Sequence, residues 1–240
     1  AADLLLEMKH NGFDVVRTKA ELEAIPGWRR PKLFGAFAEG ELAYADETQA
    51  RGEQPTLADM VRRAIELLQF NRTGYLLIVD AGLMRKAAQE NQGERTLAAT
   101  VELDRAVAAA QNYVGAKSTI VVCGDVGVGG LAMNGSPLRK DAELTVLGAN
   151  SAGHPWLTWA TGPKGVRSSA TTLATTSDEG AEPGPSPISP TPAREPAAFF
   201  MASALETVED VAAFGTGPGT EALHGTLDNT MIFQLLRKDL

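Results

Sequence analysis

The sequence has one cysteine, Cys123, among its 240 residues. A single thiol cannot form an internal disulfide, so cysteine usage gives no indication of the redox compartment. Cys123 lies in the apolar run STIVVCGD, where a thiol behaves as a small hydrophobic side chain. We therefore expect Cys123 to be buried in the core.

The sequence also lacks long hydrophobic runs and an excess of basic residues. No stretch approaches the roughly 18 consecutive apolar residues of a membrane-spanning helix, which predicts no membrane span. The formal net charge of -8 argues against the broad basic surface that nucleic acid binding requires. The first residues, AADLLLEMKHNGFDVV, have neither an initiator Met nor the order of a signal peptide. They are typical of a helix already under way, so we expect the chain to begin within a fold.

Several segments carry the start and stop signals of helices. Asn11-Gly12 is a stop signal for an N-terminal helix. Thr18 and Thr56 stand where N-caps are expected, directly before two amphipathic segments. Three later helices are predicted over Thr96–Tyr113 (with Val101 and Ala108 facing inward), Ala197–Thr207 and Asn229–Arg237.

Short apolar runs between polar segments predict strands. These runs are Lys32–Ala38, Tyr75–Asp80, Ser118–Asp125 and Asp210–Gly217. Lys32–Ala38, Tyr75–Asp80 and Ser118–Asp125 are expected to be buried. The last two lie on either side of the long helix, and each ends in a carboxylate. This order predicts a right-handed crossover and parallel pairing. Asp80 and Asp125 would then lie at the carboxyl edge of the sheet, where α/β enzymes place their sites.

The composition changes between residues 163 and 196. This stretch holds more than half of the 13 prolines, many Ser, Thr and Gly residues, and almost no large apolar residue. Such a segment buries too little surface to offset the entropy of ordering it. We predict a surface excursion over 163–198 that contains no regular core element and is cut first in limited proteolysis. The α/β core would then be 1–162, and 199–240 would supply a closing strand and helix.

Four segments, in order along the chain, resemble bacterial alkaline phosphatases. They are PTLADMVRRAIELLQFNRTGYLLIVDAG, ERTLAATVELDRAV, CGDVGVGGLAMNG and AFGTGPGTEALHGTLDNTMIFQLL. The segment HPWLTWATGPKG is similar to part of some members. The resemblance implies an α/β fold with a largely parallel sheet between helices, of which this chain is the C-terminal part. It also implies a periplasmic or secreted location, which is common in the family.

The resemblance also assigns candidate metal ligands. Family members use two zinc ions and a magnesium ion to hold a phosphate monoester while a serine attacks phosphorus. Asp125 and His224 stand at zinc-binding positions, and Asp80 stands at the position of a magnesium-binding Glu. The serine and several other ligands belong to a part of the family's domain that this sequence does not contain.

Three further ligands of the family are replaced. Arg85 stands at a zinc-binding Asp, Gln89 at a zinc-binding His, and Val126 at the His beside Asp125. A guanidinium repels a metal ion at short range, and valine coordinates nothing. We therefore expect neither tightly bound zinc or magnesium nor any catalytic residue in this chain by itself.

The same residues also have structural interpretations. Asp80 and Asp125 can cap the loops that leave their strands, and His224 can be a hydrogen-bonded structural residue. Arg85 is expected to be solvated, and the alternative is a weak, metal-free anion-binding site.

The sequence thus predicts an alkaline-phosphatase-like domain that is catalytically degenerate on its own. The alternative is a divergent metal-dependent phosphomonoesterase completed by an N-terminal segment or a partner chain. Strands without neighbours expose edges and apolar faces that soluble proteins usually cover. We therefore expect self-association, or binding of an N-terminal partner chain, through Tyr75–Asp80 or Lys32–Ala38.

Overall fold

A computed structural model of the chain describes residues 4–28, 32–47, 52–115, 117–134, 155–167 and 194–239. Its helices are α1 (Leu4–His10), α2 (Lys19–Ala24), α3 (Leu57–Leu68), α4 (Leu83–Gln89), α5 (Gly93–Tyr113) and α6 (Thr230–Asp239), with a 3-10 turn over Thr220–Ala222. Its strands are β1 (Phe13–Val16), β2 (Lys32–Gly35), β3 (Ile120–Cys123), β4 (Gly127–Val128), β5 (Ala132–Met133), β6 (Leu157–Gly162), β7 (Gly165–Val166), β8 (Ala197–Phe200), β9 (Glu206–Thr207) and β10 (Ala213–Thr216).

The two N-caps predicted from the sequence are confirmed. The Thr18 hydroxyl accepts a hydrogen bond of 3.1 Å from the backbone N–H of Glu21 at the start of α2. At the start of α3, Thr56 and Asp59 form a reciprocal capping box, with side chain to backbone distances of 3.1 and 3.0 Å. These bonds satisfy backbone N–H groups that have no partner inside the helix.

Helix α3 buries its apolar face against α5. Val61 and Ile65 of α3 form a buried cluster with Ala106 of α5. The half-buried side chains of Tyr75 and Leu77 also pack against this cluster. Burial raises the pKa of the Tyr75 phenol, in agreement with that packing.

The face that α5 turns inward differs from the prediction. Val101 and Ala108 are exposed, whereas Ala106 is 2% exposed and Ala110 packs beside it. A helix rotates by about 100° per residue, so Ala108 lies roughly 200° around the helix from Ala106. The alanine-rich sequence of this helix has little apolar contrast between its faces, and the prediction chose the wrong one.

The described residues form small sheets of mixed direction. β1 and β2 pair in parallel, while β3 with β10 and β4 with β9 pair antiparallel. A four-stranded sheet has the order β5-β6-β8-β7, in which β8 is parallel to both of its neighbours and β5 is antiparallel to β6. The predicted α/β class is confirmed, with several small mixed sheets in place of one extended, largely parallel sheet.

The segment Tyr75–Asp80 is not the buried central strand predicted from its apolar run. It has no strand assignment, and its backbone makes no hydrogen bond to the backbone of another described residue. Leu76 is 52% exposed and Ile78 is 81% exposed, although Leu77 packs against the α3–α5 cluster. A continuous apolar run predicts cover on both faces. Here the described residues cover only one of them.

Two other strands expected to be buried are short and partly exposed. Ser118–Asp125 contains β3, which pairs antiparallel with β10 and not in parallel with Tyr75–Asp80. Cys123, at the end of β3, is exposed, so the prediction of a buried thiol is wrong. The run Lys32–Ala38 contains β2, whose residues are mostly exposed. In both cases the apolar run is paired along one edge within the described residues and lacks full cover.

The chain around the proline-rich stretch contains strands at both ends. β7 lies just after residue 163, and β8 begins at Ala197, which is buried against Trp159 and Ala88. The helix predicted over Ala197–Thr207 is therefore wrong, because pairing with β6 overrides the helical propensity of this alanine-containing segment. Residues 168–193, the middle of the predicted excursion, lie outside the described part of the chain.

The chain divides into two compact units. The first unit comprises residues 1–83, 98–124 and 211–240, and the second comprises residues 84–97 and 125–210. Each unit has a buried cluster: Val61, Ile65 and Ala106 in the first, and Ala88, Trp159 and Ala197 in the second. Among the described residues, no helix has the length and apolar character needed to cross a membrane.

Candidate functional site

The candidate site in the second unit is built around Arg85. This residue is exposed on α4, a helix that buries Ala87 and Ala88. Asp125 lies in the loop between β3 and β4. The ladder between β4 and β9 pairs Val128 with Glu206. These three elements bring Arg85, Asp125 and Glu206 together on one surface.

The guanidinium of Arg85 makes ion pairs with both carboxylates. Its Nη1 atom lies 3.6 Å from Oδ2 of Asp125, and its Nη2 atom donates a hydrogen bond to Oε1 of Glu206. The other oxygen of Asp125, Oδ1, accepts a hydrogen bond of 2.8 Å from the backbone N–H of Val126. The side chains of Arg85 and Asp125 are 44% and 77% exposed, so water screens these charges and the pairs contribute little to stability.

Sequence reasoning missed Glu206. The resemblance assigned no role to this position, and the residue follows the proline-rich stretch in a segment predicted to be helical. The antiparallel pairing of β9 with β4 places Glu206 beside β4. A strand of only two residues, such as β9, has no clear sequence signal. Arg85 is partly exposed to solvent, and its guanidinium is also paired with two acids, which the sequence did not predict. An external anion at this point would have to displace them.

The two other replaced positions also belong to the second unit. Gln89 ends α4, and its backbone carbonyl accepts a hydrogen bond of 2.8 Å from the N–H of Ala204. The half-buried side chain of Val126 follows Asp125 directly. In this unit the resemblance identifies four positions that bind zinc in the family. They hold a carboxylate, a guanidinium, an amide and a hydrocarbon side chain, which are those of Asp125, Arg85, Gln89 and Val126.

Asp80 belongs to the first unit and is exposed. Its carboxylate lies close to Gly82. A β-carbon added to Gly82 would be 3.4 Å from Oδ1 of Asp80. Gly82 is the residue before α4 begins. The interpretation that Asp80 caps the loop after its apolar run stays a prediction.

His224 also belongs to the first unit and follows the 3-10 turn over Thr220–Ala222. Its Nδ1 atom lies 2.9 Å from the backbone carbonyl oxygen of Glu221. A carbonyl only accepts, so Nδ1 carries the proton and Nε2 is the unprotonated nitrogen of the neutral ring. The ring is exposed. This is the orientation in which a histidine offers Nε2 to a metal while a second group holds its other nitrogen.

The described residues do not fit the metal set that the resemblance implies. They contain no group of three or more His, Cys, Asp or Glu side chains arranged to hold a metal ion. Oδ2 of Asp125, a residue at a position where the resemblance implies a zinc ligand, faces a guanidinium. A cation at that distance opposes a second cation. The arrangement can neutralise two carboxylates, and it supplies no open coordination position on the described residues.

Comparison with known proteins identifies the family. The sequence profile described as alkaline phosphatase matches residues 1–240, the whole chain. The chain therefore belongs to the alkaline phosphatase family, as the ordered motifs of its sequence predicted.

Individual relatives match parts of the chain. The tissue-nonspecific alkaline phosphatase of Gallus gallus is 34% identical over 105 residues, which is 43% of this chain and 20% of that protein. A membrane-bound alkaline phosphatase of Bombyx mori is 32% identical over 151 residues, which is 59% of this chain and 27% of that protein. The chain thus spans about a quarter or less of the length of these curated relatives.

Solved structures give the same fold. A mutant of TAB5 alkaline phosphatase with magnesium bound in its M3 site aligns with 99% of this chain and 55% of its own, with a TM-score of 0.60 and 15% identity. Thermus thermophilus alkaline phosphatase aligns with 57% of this chain and 29% of its own, with a TM-score of 0.51 and 27% identity. These alignments confirm that the architecture is that of the alkaline phosphatase fold.

Proposed function

We propose that the chain is an alkaline-phosphatase-like domain in which an arginine has replaced the local zinc chemistry. On this proposal it does not hydrolyse phosphomonoesters by itself and acts through binding or structure. The observation that carries the proposal is the ion pair between Arg85 and Asp125, reinforced by Glu206. The positive charge that a zinc ion would bring to these carboxylates is already supplied by a side chain.

Replacement of the charge does not replace the chemistry. A zinc ion polarises a phosphoryl oxygen and lowers the pKa of bound water, and both effects need open coordination positions. A guanidinium has only N–H donors and stays protonated at neutral pH. It can hold a carboxylate or a phosphate, but it cannot generate a hydroxide nucleophile. Arg85 thus keeps the electrostatic balance of the site without its hydrolytic function.

Metal analysis with matched variants tests this proposal. The purified chain is incubated with zinc and magnesium, dialysed, and measured for metal content and for hydrolysis of an aryl phosphate. We expect substoichiometric zinc, no hydrolysis above a buffer control, and the same metal content in Asp125→Asn and His224→Ala. Near-stoichiometric zinc that either variant loses would overturn the proposal.

A second candidate is a divergent metal-dependent phosphomonoesterase completed by further sequence or by a partner chain. The orientation of His224 favours it, because a histidine with Nδ1 held by a carbonyl presents Nε2 as a ligand. The chain also spans only a fraction of its relatives. A periplasmic or secreted location belongs to this candidate as well, and it remains a proposal.

The product of the complete reading frame distinguishes the two candidates. Its upstream sequence is read for a serine in the family's Asp-Ser-Ala motif, and the purified product is assayed with zinc and magnesium. Under the second candidate it hydrolyses an aryl phosphate, and His224→Ala lowers kcat/KM by about 100-fold or more. Under the first it is inactive, and His224→Ala changes nothing.

A further inference from the structure

The turn between α4 and α5 contains a buried asparagine with an uncommon backbone conformation. Asn91 is 0% exposed, and its φ of 56° lies in the left-handed region that favours glycine and asparagine. Its Nδ2 atom donates a hydrogen bond of 3.0 Å to the backbone carbonyl oxygen of Thr161 in β6. A buried side chain therefore joins this turn to the end of β6.

The oxygen of the same amide has no donor. Oδ1 of Asn91 is buried and has no hydrogen-bond partner among the described residues. It lies against Gly162, where an added β-carbon would be 1.8 Å from it. An unpaired buried oxygen opposes folding, and a glycine at position 91 would adopt the same φ without one. The contribution of the amide side chain is therefore the bond that Nδ2 makes to Thr161.

Hydrogen bonds to α4 and to β6 hold the segment that leads into β9. The backbone carbonyl of Gln89, at the end of α4, accepts a hydrogen bond of 2.8 Å from the N–H of Ala204. The hydroxyl of Thr161, in β6, accepts one of 3.0 Å from the N–H of Leu205. Glu206 is the next residue and the first of β9. Its backbone is thus placed by the two elements that the buried asparagine joins.

We propose that Asn91 is a positioning residue that holds Glu206 beside the guanidinium of Arg85. Arg85 lies about one helical turn before Gln89, so the end of α4 carries both the arginine and one bond to the segment before Glu206. Thr161 makes the other bond to that segment. Asn91 fixes the end of the helix to the strand, and without its amide the carboxylate is no longer held at the arginine.

The contact between Arg85 and Glu206 needs such support because it is exposed. Their side chains are 44% and 53% exposed. Water screens an exposed ion pair, and ordering two long side chains costs entropy, so the attraction alone contributes little. The role of Asn91 rests on the proposed function, in which Arg85 supplies the positive charge of the site. The reactivity of Arg85 tests it separately, because that measurement uses no zinc and no phosphate ester.

Modification of Arg85 by p-hydroxyphenylglyoxal, followed by peptide mass spectrometry, measures how firmly its guanidinium is held. Glu206→Gln removes the paired charge and should speed this modification by about two- to fivefold, the factor that an exposed ion pair provides. Asn91→Gly keeps the left-handed backbone, removes the amide, and should speed it to the same extent. The double variant Asn91→Gly/Glu206→Gln should react no faster than Glu206→Gln, because both changes remove one contact.

Variants at Thr161 test the same path by a second route, and they decide the question if the glycine variant does not fold. Thr161→Val removes the hydroxyl that holds Leu205 and should also speed modification of Arg85. Thr161→Ser keeps a hydroxyl and should react like the original chain. Thr158→Val is the matched control on the same strand, since it removes a hydroxyl that accepts a hydrogen bond of 2.9 Å from Asn134. It should leave the rate unchanged.

Circular dichroism confirms that each variant is folded, and the exposed Arg17 of the first unit serves as an internal reference. Faster modification of Arg85 in Asn91→Gly and Thr161→Val, with Arg17 and Thr161→Ser unchanged, supports the positioning role. An unchanged Arg85 rate in folded Asn91→Gly overturns it, since the contact then forms without the amide. An unchanged rate in Glu206→Gln also overturns it. So does a parallel rise at Arg17, because the chain is then loosened as a whole.

Discussion

At the scale of single residues, the proposed function rests on a change in the origin of positive charge at the site. A metal ion and a guanidinium both neutralise carboxylates, but only the metal has open coordination positions. Arg85 lies 3.6 Å from Oδ2 of Asp125 and also engages Glu206. Each acid beside Arg85 thus has one oxygen engaged by a guanidinium, whose positive charge opposes a metal ion at the same place. On the proposed function, Arg85 gives both acids a partner without a metal ion.

Restoring ligands at the replaced positions should recover zinc affinity. The variant Arg85→Asp/Gln89→His/Val126→His returns three donors to the unit that holds Asp125. We expect it to bind zinc at least about tenfold more tightly than the original chain, measured by competition with a chromophoric chelator. Arg85→Ala is the control, since it removes the cation without adding a donor. Equal zinc affinity in the triple variant and the original chain would show that positions 85, 89 and 126 do not form a common metal site with Asp125.

Glu195 is a second residue whose removal should have a measurable effect. One of its oxygens, Oε2, accepts hydrogen bonds from the backbone N–H of Gly93 at 2.6 Å and from Nε1 of the buried Trp159 at 3.2 Å. It therefore caps α5 and satisfies a buried indole. Glu195→Ala should lower the free energy of unfolding by about 1–3 kcal/mol in urea denaturation. Asp210→Ala, which removes an exposed carboxylate of the same unit, should change it by less than about 0.5 kcal/mol. Equal effects of the two variants would contradict the capping role.

At the scale of elements, the start of α3 should be sensitive to acid. Burial opposes ionisation of the Asp59 carboxyl, but hydrogen bonds from Lys19 and Thr56 outweigh it and hold its pKa below the ordinary value of 3.8. A carboxyl with a lowered pKa in the folded state stabilises the fold above its unfolded pKa. This stabilisation is lost as the pH falls through the folded value.

The variant Asp59→Asn tests this linkage. At neutral pH it should lower the free energy of unfolding by about 1 kcal/mol, because it removes the charge of a capping box. Below pH 3.8 the original chain and the variant should approach equal stability, as the carboxyl becomes protonated. Asp104→Asn, at an exposed position of α5, is the control. A difference between Asp59→Asn and the original chain that does not shrink with acid would contradict the assignment.

The same scale shows what the sequence could predict. Thr18 and Thr56 identified their helices to the residue, because an N-cap is a local bond between neighbours in sequence. The strands were harder, since pairing and cover depend on distant segments. The run Tyr75–Asp80 has an apolar pattern typical of a buried strand, yet Ile78 is exposed. At the candidate site, the order of the sequence motifs identified Arg85 and Asp125. Glu206 could be recognised only from the pairing of β4 with β9 in the structure.

At the scale of the whole molecule, many large apolar side chains are exposed. Among the described residues, 20 large hydrophobic side chains are exposed and 14 hydrophobic residues are buried. Exposed apolar residues are normal singly, but contiguous patches mark surfaces that bind something. Both compact units contribute, with Phe214 and Phe233 in the first and Phe199 and Val208 in the second.

This surface should bind a hydrophobic dye without loss of native structure. We expect the folded chain to enhance the fluorescence of 8-anilinonaphthalene-1-sulfonate several-fold, with retained near-ultraviolet circular dichroism that distinguishes it from a molten globule. Ile78→Lys/Phe214→Ser/Phe233→Ser should lower the enhancement, because three exposed apolar side chains of the first unit are removed. Ala36→Ser, a small change at a half-buried site, is the control and should leave it unchanged. Absence of dye enhancement at the lowest measurable concentration would contradict the exposure of these side chains in the folded chain.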